Sequence, residues 1–267
     1  MTHQVRNPQL IDLISQDVPL RAESAFAWKS VIASYQAVPC LRGFWPTSAM
    51  DGDGDCLDFS GNGLTLSNNG NLVYDHRDLA PIVDMDGTGD YLSHAGSTAL
   101  NVTGTEAYVA MPGLSCGLWI KSHAVNLGAG LMSKFLDNIA ERSYLIVIDG
   151  ATSEYKGFIS SDGTAANSVG VGTGIAHTQD AWTSLALRFD PGNELKLWVN
   201  LSTYTQATAL AQVHSSPNTP LYIGRRDTGA VQIDFDGQAS LAWIAAANLP
   251  DYIFTSLYEY SRRMFNV

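Results

Sequence analysis

Charge is scarce in this 267-residue chain. Asp, Glu, Lys and Arg make up only 15% of it, where about a quarter is usual. Basic residues are the scarcer kind, 15 against 26 acidic ones, for a net charge of −11. Such a chain repels phosphate backbones, which excludes nucleic acid as a direct partner. The pairs Arg225–Arg226 and Arg262–Arg263 are too small to reverse that. Cysteine is nearly absent: Cys40, Cys56 and Cys116 form an odd set with no CxxC, so neither a disulfide framework nor a zinc site is indicated. The six His are scattered, with no two at a ligand spacing. No apolar run is long enough to span a bilayer. The opening "MTHQVRNPQLIDLIS" lacks a basic stretch followed by an apolar one, so no secretory signal is expected there. Synthesis in, and initial retention by, a cytoplasm is the expectation.

Catalytic patterns are missing too. There is no GxSxG elbow, no HExxH and no phosphate loop. "VGVGTG" at 169–174 has close glycines but no helical pattern after it, and reads as a loop or a strand edge. The six Glu (23, 106, 141, 154, 194 and 259) are far apart in sequence. No enzyme is expected.

What is abundant is glycine, at 24 residues, together with Ser, Thr and Asn. After Arg42 the pattern is one of short strands and turns. "TSLALRFDPGNELKLWVN" alternates Leu185, Leu187 and Phe189, then Leu195, Leu197 and Val199, around an Asp-Pro-Gly-Asn turn: a hairpin. "SCGLWIKS", "SYLIVID", "PLYIGRR" and "ASLAWIAAA" read as further strands. With no long helix between them, two packed antiparallel sheets are expected. The first 42 residues differ. Asn7 and Pro8 open a helical pattern with Leu10, Leu13 and Ile14 on one face, closed by Pro19. A second pattern sets Ala25, Trp28, Ile32 and Tyr35 at spacings of three and four. In the tail, Pro250 fits a first helical position, with Ile253, Leu257 and Tyr260 on one face.

The order of pieces "GFWPTS", "DFSGNG", "MDGTGDYL", "CGLWIKS", "AWTSLALRFD", "LWVN", "YIGRR" and "FDGQASLAWI", then a tail helix, resembles the laminin-G-like jelly rolls of the concanavalin A-like lectin/glucanase group. The likeness runs from residue 43 to 263. It implies an all-β, two-sheet antiparallel jelly-roll sandwich over 43–267, with 1–42 as a short helical arm and a short C-terminal helix. It also raises calcium, which many relatives bind. No cofactor is expected, because the late strand reads Ala239-Ser240-Leu241 where the family usually has I-D-E; Asp58, Asp86 and Asp90 are the weak metal candidates. The glucanase branch carries E-x-D-x-x-E on one strand, which places two carboxylates in one cleft; the motif is absent here. Trp45, Trp119 and Trp182 fall where the family has core aromatics, while Trp198 and Trp243 are less determined.

Two non-catalytic functions remain. One is a structural or adhesive component of a large assembly, a phage virion protein decorating capsid or tail. Its arm would anchor through Leu10, Leu13, Ile14, Trp28 and Ile32 to other virion proteins or to copies of itself. The other is a carbohydrate-binding lectin, with glycans as partners. The virion reading is the leading expectation, glycoside hydrolysis the remotest.

Overall fold

The computed structural model describes residues 22–47, 50–75, 80–105, 111–125, 127–137 and 139–267, the side chains of 22–27 excepted. The first elements among the described residues are α1 (Ala22–Gln36) and β1 (Leu41–Trp45). Four short strands follow: β2 (Ser67–Asn69), β3 (Val73–Asp75), β4 (Ile82–Asp86) and β5 (Tyr91–His94). Longer ones come next: β6 (Leu114–Ser122), β7 (Gly130–Leu136), β8 (Glu141–Ile148), β9 (Glu154–Gly163) and β10 (Ser168–Ala176). Then come β11 (Thr183–Asp190), β12 (Glu194–Val199), β13 (Ser202–Ala207), β14 (Leu221–Ile223), β15 (Arg225–Asp227), β16 (Gln232–Asp234) and β17 (Asp236–Ala245), and last α2 (Asp251–Ser261) with a 3-10 turn at Arg262–Met264.

These strands form two sheets, as the sequence leads one to expect. One has eight strands, in the order β13-β12-β11-β6-β17-β4-β3, with β1 beside β17. The other has nine, running β10-β9-β8-β7-β14-β5-β2, with β15 and β16 attached at β7. All of these pairings are antiparallel except a single parallel contact between β15 and β7. The Leu/Phe hairpin pairs as its alternation demands, with Leu185 opposite Val199, Leu187 opposite Leu197 and Phe189 opposite Leu195. "VGVGTG" lies in β10, an edge strand.

The inner faces of both sheets close on one core, with Trp45, Ile120, Tyr144, Ile146, Leu187 and Phe189 among its members. A second core lies on the outer face of the eight-stranded sheet. There α1 and α2 cover Trp119, Trp182, Trp198 and Trp243. Trp198 stacks on Phe254 of α2, centroids 4.1 Å apart, and Trp119 stacks on Phe265 at 4.2 Å. Strand β17 serves both cores by a bulge. Its pairing with β6 shifts between Ser240 and Trp243, where Leu241 takes a φ of 48°. The extra residue resets the alternation, leaving Ala242 and Ile244 in the inner core and Leu241 and Trp243 under the helices.

This layer corrects part of the expected anchor. Trp28 and Ile32, assigned above to a partner, are 7% and 2% exposed and belong to the chain's own helix-covered core. Tyr35, one turn on, stacks on Phe44 of β1 at 4.8 Å. An apolar stripe is buried by the nearest surface that fits it, and here that is the chain's own aromatic sheet face. The expected boundary between Arg42 and Gly43 falls inside β1. The first helical pattern, with Leu10, Leu13 and Ile14, lies outside the described residues. In α2 the buried face is Phe254, Leu257 and Ser261, while Tyr260 is 59% exposed, so the expected face is rotated by one residue. Pro250 is the N-cap rather than the first helical residue.

Candidate functional site

The two sheets differ in what covers their outer faces. Both described helices lie on the eight-stranded sheet, and the nine-stranded sheet carries neither. Directly paired residues point to one side of a sheet, so its outer face can be read off the registers. One row runs Ser67, Ser93, Tyr222, Ser133, Leu145, Phe158, Gly170. A shorter stretch beside it pairs Asn69 with Tyr91, and another pairs Val147 with Lys156 and Gly172. The alternate residues Leu92, Leu221, Ile223, Met132 and Ile146 point into the core.

The face has two zones. On β2, β5 and β14 it is aromatic and polar. Tyr91 and Tyr222 meet edge to face, centroids 5.6 Å apart. The Arg225 guanidinium lies 3.6 Å from the Tyr91 ring centroid. It is held there by Asp234, through Nε to Oδ1 at 2.5 Å and Nη2 to Oδ2 at 2.9 Å. Burial works against the charge of Arg225, but Asp234 outweighs it and the pKa is raised. Asp234 also accepts the Gly89 amide at 2.8 Å, tying this pair to the turn of "MDGTGDYL". Asn69 donates to the Ser93 hydroxyl at 2.9 Å. Burial, and then Asp227, raises the Tyr222 pKa, so its phenol stays a neutral donor at physiological pH. On β7, β8 and β9 the face is apolar and closed: Phe135, Leu145 and Val147 are buried in a small cluster of their own, with the part-exposed Phe158 against them. Gly170 leaves room for the Phe158 ring, which lies where a β-carbon would stand. Arg142 caps Phe135 at 5.8 Å.

The sequence expectation named Trp alone as platforms and not these tyrosines, and all six Trp prove to be buried. A usable signal was present: Tyr91 and Tyr222 alternate with Leu92, Leu221 and Ile223, which marks them as outward.

The metal candidates do other work. Asp58 accepts the amides of Phe44, Ser60 and Leu64 at 2.8 to 3.0 Å, plus the Ser60 hydroxyl. It ties the turn of "DFSGNG" to β1. Asp90 is 3% exposed and accepts the amides of Asn71 and Asp86. Asp86 accepts that of Thr88. Among the described residues no group of three or more His, Cys, Asp or Glu is arranged to hold a metal ion. The four glutamates with described side chains are likewise engaged: Glu141 with Thr219 and His214, Glu154 with Thr152 and Lys156, Glu194 with Arg188 and Lys196, Glu259 with Arg262. No described helix is long and apolar enough to cross a membrane.

A laminin G family model, described as the concanavalin A-like lectin/glucanases superfamily, matches residues 86–245, and the chain belongs to that superfamily. No curated protein matches the sequence. Among solved structures, domain 4 of AbnA, a GH43 extracellular arabinanase from Geobacillus stearothermophilus in complex with arabinotriose, is similar with a TM-score of 0.58 at 16% identity. The match covers 82% of this chain and 98% of that one. The receptor binding domain of botulinum neurotoxin C/D mosaic serotype gives 0.62 at 11% identity, over 82% of this chain and 51% of that one. The botulinum neurotoxin serotype D ligand binding domain in complex with N-acetylneuraminic acid gives 0.62 at 13%, over 86% and 52%. The chain thus spans about half the length of the neurotoxin domains it resembles. At these identities the likeness establishes the fold, a jelly roll shared with binding domains.

Proposed function

We propose that this chain is a non-catalytic carbohydrate-binding module whose site is the aromatic and polar end of the nine-stranded sheet's outer face, on β2, β5 and β14. The observation that carries the reading is the part-exposed Tyr91–Tyr222 pair, braced by Arg225 and Asp234 on a face that neither described helix covers. Sugar rings offer an apolar face for stacking and hydroxyls for hydrogen bonds. Such ligands are held by aromatic side chains with a few fixed polar groups beside them. The phenols of Tyr91 and Tyr222 and the Asn69–Ser93 pair supply both kinds of contact. The match to nearly the whole of a domain solved with arabinotriose supports the same reading. The engaged glutamates favour binding over hydrolysis, because a general acid or nucleophile needs a carboxylate free to meet substrate.

The test is binding of the purified protein to an immobilised oligosaccharide panel, repeated with Tyr222→Ala. Measurable binding should fall about tenfold or more in the variant while its thermal unfolding stays cooperative. Binding that is indifferent to Tyr222→Ala would move the site elsewhere.

A second reading keeps the chain as a building block of a larger assembly such as a phage particle, on capsid or tail. It is supported by β13, an edge strand with five of its six residues exposed, since an open strand edge can pair with another chain. Its anchor would then rest on Leu10, Leu13 and Ile14, with Trp28 and Ile32 turned inward. Co-purification with intact particles, abolished by Leu10→Asp with Leu13→Asp, tests it; particles that retain the variant would remove it.

A further inference from the structure

Resting on the carbohydrate reading, we infer that the ligand is a neutral sugar rather than an acidic one. The argument is the charge state of the groups around the Tyr91–Tyr222 pair and along the flanks of this face. An anionic sugar needs a cationic side chain with unused donors and no carboxylate beside it. Among the described residues four basic groups flank this face, and each already faces an acid. Arg225 makes two bonds to Asp234. Arg142 and Arg226 share Asp137, at 2.9 and 2.7 Å. On the opposite flank Lys156 sits 3.3 Å from Asp149 and 3.2 Å from Glu154. Asp227, beside Tyr222, adds a further negative charge whose Oδ1 accepts the Gly229 amide. Among the described residues four cations thus face four carboxylates, with Asp227 a fifth nearby, within a chain of net charge −11. A sugar carboxylate would have to displace a protein carboxylate that is already in place.

The experiment compares neutral and acidic partners of like size on the whole protein: lactose against sialyllactose, and galactotriose against trigalacturonate, by calorimetry or on a sensor surface at low and high salt. The neutral member of a pair should bind about tenfold or more tightly, with affinity nearly independent of salt. Asp234→Asn leaves Arg225 without its carboxylate and should raise affinity for the acidic member about tenfold; Asp137→Asn, which releases Arg142 and Arg226, is the independent second variant. Tighter binding of the acidic sugars by the unaltered protein overturns the inference and leaves the carbohydrate reading standing. If all pairs and a wider printed panel fail to bind, both fall together. Neutral preference with no acidic gain in either variant overturns the charge argument, since the carboxylates would then not be the cause.

Discussion

Replacing Tyr35 by Ala decides whether α1 is part of the folded body or a free arm. The side chain is 2% exposed. Its ring stacks on Phe44 with planes 4° apart and meets Trp243 edge to face at 6.5 Å. Its hydroxyl reaches the pair formed by Ser261 and the Trp119 indole, which donates to Ser261 at 2.9 Å. Truncating a buried aromatic costs about 3–5 kcal/mol, from lost transfer energy and the cavity left behind. For a chain of this size each kcal/mol shifts the melting temperature by roughly 2–4 °C. The variant should therefore melt about 6–20 °C lower, read by circular dichroism or calorimetry. Tyr35→Phe keeps the stacking and removes one hydroxyl, for a loss of about 1–2 kcal/mol. A Tyr35→Ala protein melting within about 2 °C of the parent would refute the argument, because an undocked helix contributes nothing to unfolding.

Three further outcomes follow from other parts of the fold. Burial pushes the thiols of Cys56 and Cys116 and the phenol of Tyr35 up to about 12. Their stability contribution is full below their unfolded values and is lost as pH rises, at about 1.4 kcal/mol per pH unit for each group. Lys134, lowered by burial to about 8, works the other way between pH 8 and 10.5. Denaturant titrations should show stability falling above about pH 9; a flat profile to pH 11 would contradict the burial of the thiols. Lys134 donates to the carbonyls of Ser216 and Thr219, each at 2.5 Å, so Lys134→Met should cost about 2–4 kcal/mol and speed hydrogen exchange in residues 214–220; exchange unchanged in that loop would refute the clamp. Asp58→Ala should cost about 2–4 kcal/mol by releasing three amides, whereas chelator should shift the melting temperature by only a few degrees; a chelator effect equal to that of the substitution would make Asp58 a metal ligand instead.

Much of the sandwich was legible in the sequence because strand pattern is local. Leu185, Leu187 and Phe189 alternate at the period of a strand, the Asp-Pro-Gly-Asn turn returns the chain, and the pairing follows. The turns of "DFSGNG" and "MDGTGDYL" were equally visible, since glycine and acidic side chains build them from their own neighbours. Tertiary structure alone decided which outer face is covered. Trp198 lies outward by alternation, but whether it faces solvent or a partner depends on Phe254, far along the chain. Trp28 and Ile32 form an apolar stripe whatever they touch; only the position of β17 and its bulge at Leu241 provides the aromatic surface on which they dock. The candidate site has the same origin. Tyr91, Tyr222 and Arg225 come from three strands, and nothing in any one segment shows that they meet. Periodicity records which side of a strand is apolar, whereas what closes over that side is set by contacts between distant segments, whose energies local sequence does not carry.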